Sequence, residues 1–122
     1  MRRKFKNNRS FSDEVYCPFE NGEEAWMWFS RCQLVRNEGA RFIAGLSDTP
    51  RPCEPDDVYR SVMVLFQKRN IDHKHLQVLG SYGARLESPN VKIEEEREDA
   101  VLWETALEQL SEILRQKGIV YE

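Results

Sequence analysis

His73 and His75 are the only two histidines of the chain, and Cys17, Cys32 and Cys53 its only three cysteines. Metal chemistry would need several of them to converge. A structural zinc site takes four ligands arranged in close pairs, yet there is no Cys-x-x-Cys pair and Cys53 lies twenty residues before His73. Two residues apart on a helix, His73 and His75 point to different faces. A cysteine nucleophile needs a histidine beside it in space, and Cys32 falls on an apolar stripe, where it reads as a small core residue. The Gly-x-Ser-x-Gly hydrolase motif is absent. The six glycines are scattered and form no phosphate loop. Glu94, Glu95 and Glu96 occupy consecutive positions that spread around a helix axis, so they suit a helix N-terminus better than an acid–base pair. No catalytic residue, metal or cofactor is expected.

Charge is more informative. The 122 residues carry a formal net charge of −3, unevenly placed. Arg2, Arg3, Lys4, Lys6 and Arg9 give residues 1–12 a charge of +5 with no acid, leaving −8 on the rest. Arginine and lysine on such an arm bind phosphates through counterion release. The odd cysteine count opposes a secreted disulfide framework. No apolar run is long enough to span a bilayer. The basic start leads into Phe11-Ser12-Asp13-Glu14 rather than an apolar segment, unlike a secretory signal. A cytoplasmic protein with no membrane contact is expected.

The elements follow from caps and periodicity. Residues 1–18 read as a basic, partly disordered N-terminal arm, and residues 19–122 as a single all-α domain, a compact bundle of about four main helices. The first helix opens at Asn21, with Glu24 placed to complete a capping box, and runs to about Asn37. Its apolar face is Ala25, Phe29 and Cys32, with Trp26 and Trp28 beside it. Pro50 and Pro52 mark a loop. Pro55, Asp56 and Asp57 announce a second helix, running to Arg69, that carries Val58, Val62, Leu65, Phe66 and Arg69 at helical spacing. Asp72 caps a third, with Leu76, Leu79 and Tyr82 on one face and Gly83 as its stop. A final long helix begins near Ile93 or Glu94 and is closed by Lys117-Gly118-Ile119.

Two constellations suggest binding. The second and third helices, joined by a tight turn, have the order of a helix-turn-helix, with His73, Lys74, His75, Gln77 and Ser81 as polar groups. Lys68, Arg69, Lys74 and Arg85 would extend the basic arm into a nucleic-acid surface. On the last helix, Trp103, Leu107, Leu110 and Leu114 form an a/d seam of about two heptads, a candidate partner-binding or homodimer face. The acidic start of that helix opposes placing it on DNA.

From Trp28-Phe29 through Gly39-Ala40-Arg41-Phe42 and Arg51-Pro52-Cys53-Glu54-Pro55-Asp56-Asp57-Val58-Tyr59-Arg60, the chain resembles a family of short uncharacterised alphaproteobacterial proteins. His75-Leu76, Val78-Leu79, Tyr82-Gly83, Trp103, Ala106-Leu107 and Lys117-Gly118-Ile119-Val120 carry the same resemblance. It spans about residues 24 to 120 and implies a bacterial host without a mechanism. Leu76, Leu79, Tyr82 and Gly83 are also loosely similar to a helix of phage-type and sigma-like helix-turn-helix regulators. The acidic segment from Ala84 to Asp99 stands where those proteins place a recognition helix. A DNA-associated regulatory protein is the leading expectation, with duplex DNA as partner. A protein-interaction module or homodimeric adaptor that binds no nucleic acid is the alternative.

Overall fold

The computed structural model describes residues 16–38 and 50–122. Four helices make up the body: α1 (Gly22–Glu38), α2 (Pro55–Gln67), α3 (His73–Arg85) and α4 (Arg97–Gln116). No strand forms among the described residues. The all-α bundle expected from the caps and stripes is the architecture observed. α1 and α4 pack together at the centre, and α2 and α3 each lie against both of them.

Each helix start has a local chemical cause. Asn21 Oδ1 accepts the Glu24 N–H at 2.9 Å, while the Glu24 carboxylate reaches one residue further back and accepts from the Glu20 N–H at 2.7 Å. Pro55 occupies the first turn of α2, and Asp57 Oδ2 accepts the Glu54 N–H at 2.8 Å. Asp72 caps α3 by accepting the Lys74 N–H at 3.0 Å. These bonds satisfy donors that a helix start otherwise leaves open. A short 3₁₀ turn, Glu94–Glu96, precedes α4, which begins at Arg97 rather than at Ile93 or Glu94.

Helix ends show where tertiary packing overrides local signals. Gly83 does not stop α3. The helix continues to Arg85, and Leu86 takes the left-handed conformation at φ 55°. Gly83 instead admits α1: a Cβ there would sit 2.5 Å from Ser30 Oγ and 3.0 Å from Trp26 Nε1. Arg69, expected within α2, lies beyond its end at φ 66°. Gly118, at φ 80°, closes α4 as expected, and the Ile119 N–H returns to Leu114 O at 2.9 Å.

The core collects Phe19, Trp26, Phe29, Val58, Val62, Leu79, Tyr82, Leu110 and Val120. The chain entering α1 is locked in place. Phe19 is completely buried and forms a parallel bridge with Val120. The Cys17 N–H donates to Pro50 O at 2.9 Å. Arg51 clasps the same segment, donating to Cys17 O at 2.9 Å and lying 4.3 Å over the Phe19 ring. Residues 16–18 are therefore tied to the body, although the arm was expected to extend through Pro18.

A candidate docking groove along helix α4

The expected partner seam lies inside the fold. Trp103 and Leu107 are 4% and 5% exposed, and Leu110 and Leu114 are fully buried. Their apolar area is covered by the chain's own helices, so the seam does not stand free for a second copy. The two heptads are the stripe by which α4 packs on α1, α2 and α3.

The candidate nucleic-acid residues separate. Arg2, Arg3, Lys4, Lys6 and Arg9 lie outside the described residues. Lys68, Arg69 and Lys74 are exposed near the turn between α2 and α3. Arg85 stands eleven residues after Lys74 on the same helix, a rise of about 16 Å. There it stacks 4.4 Å over the Tyr82 ring and pairs with Glu96 at 3.5 Å and Glu87 at 3.7 Å. Its charge is neutralised locally, and the four cations form no single surface.

The helix-turn-helix reading fares similarly. Five residues, Lys68–Asp72, join α2 to α3, where the DNA-binding motif uses three or four. The His73 ring meets the edge of Phe66, with centroids 5.7 Å apart. His75 Nδ1 lies 3.0 Å from Asp72 Oδ1 within the helix cap. Both imidazoles thus have structural roles, which leaves Lys74, Gln77 and Ser81 as exposed polar groups on α3.

Among the described residues, no three His, Cys, Asp or Glu side chains group as metal ligands. Burial, then the neighbouring Asp57 and Glu54 carboxylates, push the Cys53 thiol up to about 12. Burial likewise raises Cys32. Both thiols hold their protons at neutral pH, the opposite of the shift that activates a nucleophile.

A groove of about 340 Å³ runs along one face of α4. Ala100, Trp103, Leu107 and Ser111 form its floor, a stripe at steps of three and four. Asn21 and Glu23 flank it where α1 begins, and Ser88, Pro89 and Val91 close the other side. Gly22 permits this arrangement. Its N–H donates to Ser111 Oγ at 2.6 Å, and a Cβ in its place would lie 2.6 Å from Leu107 O. The start of α1 therefore touches the backbone of α4 directly.

The rim is acidic. Among the described residues, Glu23, Glu104 and Glu108 line the groove without a lysine, arginine or histidine, and none of the three has an ion-pair partner. Elsewhere on α4, Glu112 pairs with Arg115 at 2.9 Å and Asp99 accepts the Tyr82 hydroxyl at 2.8 Å. Glu104 and Glu108 are one turn apart, so they repel by a few tenths of a kcal/mol. The Trp103 indole N–H is buried and has no acceptor among the described residues. Exposed Val91 and half-buried Ala100 beside uncompensated carboxylates fit a cationic group attached to an apolar one.

The chain matches no protein-family model, no curated protein and no solved structure. Its functional reading rests on this geometry. No helix among the described residues is long and apolar enough to cross a membrane.

The sequence stripe was legible, but its use was not. Glu104 and Glu108 follow Trp103 and Leu107 by one position each, a pattern that ordinarily marks the solvated edge of an amphipathic helix. Only the approach of Glu23 and Pro89, distant in sequence, turns that edge into a groove.

Proposed function

We propose that this protein is a non-catalytic interaction module that docks a basic, aromatic-bearing peptide segment in the groove along α4. The observation carrying this reading is the set of three carboxylates, Glu23, Glu104 and Glu108, unpaired among the described residues around a groove that exposed Val91 also lines. An arginine or lysine would bring these acids their missing counter-charge. An adjacent apolar side chain would lie against Val91, the exposed apolar residue of the groove's lining. Exposed ion pairs contribute about 0.2–1 kcal/mol each. Recognition of this kind is moderate, reversible and sensitive to salt.

Calorimetric titration with a hexapeptide of alternating arginine and phenylalanine tests the proposal. The full chain should bind it, more weakly as salt rises. The E104Q/E108Q double variant should lose about five- to tenfold in affinity, corresponding to about 1–1.4 kcal/mol from two exposed charges. Equal affinity of the two proteins would contradict the reading.

A second reading is favoured by the +5 charge of residues 1–12: this arm associates with nucleic-acid phosphates, with Lys68, Arg69 and Lys74 as secondary contacts. Binding to duplex DNA would then weaken steeply with salt, and replacing the five arm cations by glutamine would flatten the dependence by up to about 4.5 units of log–log slope. A full chain that shifts no duplex at low ionic strength would end this reading.

A further inference from the structure

We infer that the groove's resident occupant is the chain's own basic arm, held in cis with Phe5 against exposed Val91 and the flanking cations on the acidic rim. The inference rests on the docking reading above and adds the identity of the ligand. Residues 1–12 combine what the groove lacks: Arg2, Arg3, Lys4, Lys6 and Arg9, with no acid and with Phe5 among the basic residues. The groove presents Glu23, Glu104 and Glu108 with no cation among the described residues that line it. The match is therefore one of apolar anchor as well as charge.

Length and tethering agree. From Ala100 to Ser111 the floor extends about 16 Å along α4. That is the span of about five extended residues, the length of Arg2–Lys6. The arm is fixed to the body through Cys17, Phe19 and Arg51. Asn21, at the groove's edge, is five residues from Tyr16 and hence within about 18 Å of it. The ten residues from Tyr16 back to Lys6 reach about 33 Å when extended, enough to enter the groove and run along it. A tether this short holds its ligand at an effective concentration of the order of millimolar. A contact too weak to persist between separate molecules is then substantially occupied within one. The consequence is regulatory: any basic partner, or any polyanion that takes the arm, competes with this internal contact.

Zero-length carbodiimide coupling of the full chain, read by peptide mass spectrometry, tests the inference. The reagent activates a carboxylate, and a nearby lysine amine displaces it to leave an amide. Lys4 or Lys6 should couple to Glu23, Glu104 or Glu108 within the monomer. The E104Q/E108Q protein should lose the bonds to those two positions, and salt near 0.5 M, where the screening length is only about 4 Å, should suppress them all. Absence of these couplings in monomer at low salt would overturn the inference. Their appearance only in covalent dimers would overturn it in favour of a second copy's arm. Full-length protein with all five arm cations replaced by glutamine separates the two proposals. If a free peptide of residues 1–12 binds it at the groove but the intact chain gives no coupling, docking stands and self-occupancy fails. If no basic peptide binds it, both fail.

Discussion

Three glycines on helices have different surroundings, and the differences are measurable. Gly80 on α3 has nothing within 4 Å of the position a Cβ would take. G80A should therefore raise stability by about 0.5–1 kcal/mol by removing glycine's excess backbone entropy. At Gly83 the neighbours are Ser30 Oγ and Trp26 Nε1, and the latter is held by its 2.9 Å bond to Leu79 O. G83A should lower stability by about 1–3 kcal/mol. G22A should lower it by a similar amount, about 1–3 kcal/mol, because the obstructing atom is the Leu107 backbone oxygen. Denaturant midpoints of the three variants check this order. Tyr82 adds a pH signature. Burial, then its bond to Asp99, raises the phenol above its ordinary range. The protonated form is the one favoured by the fold. Its contribution is complete below about pH 10 and is lost as pH rises through the raised folded value. Y82F should be less stable than the parent by about 1 kcal/mol at neutral pH, and that gap should narrow above about pH 10. Thermal melts of both proteins across this range test the sign.

At the scale of elements, most of the fold was legible because its signals are local. Asn21, Pro55 and Asp72 mark starts, and Gly118 marks an end, through bonds made within a few residues. Gly83 was misread because the reason for a glycine there is α1, more than fifty residues earlier. The α4 seam was legible as a stripe, but periodicity cannot say whether the covering surface belongs to the same chain. The groove was least legible, since it needs Glu23 and Pro89 to approach α4. Arg51 was missed entirely. Its role depends on Phe19 and the Cys17 carbonyl, which only the folded chain brings to it. The α2 terminus offers a direct test. Arg69 holds φ 66° without being glycine, at a cost of about 1 kcal/mol. R69G should recover about 0.5–1 kcal/mol at the denaturation midpoint. An unchanged or lower midpoint would mean that the arginine side chain offsets the strain.

The whole molecule separates its charge: +5 in residues 1–12 and −8 in the rest. Among the described residues, Arg85 is neutralised by Glu87 and Glu96 and stands apart from Lys68, Arg69 and Lys74. The groove along α4 concentrates acid around apolar atoms. Together they describe a docking surface for a basic segment, and the chain's own arm is such a segment. The most direct test is amide and indole chemical-shift mapping of the full-length, arm-neutralised protein titrated with a peptide of residues 1–12. The account predicts shifts at Glu23, Glu104, Glu108, Ser111 and the Trp103 indole N–H, reversed by salt. Shifts centred on Lys68 and Lys74, or none at all, would contradict it.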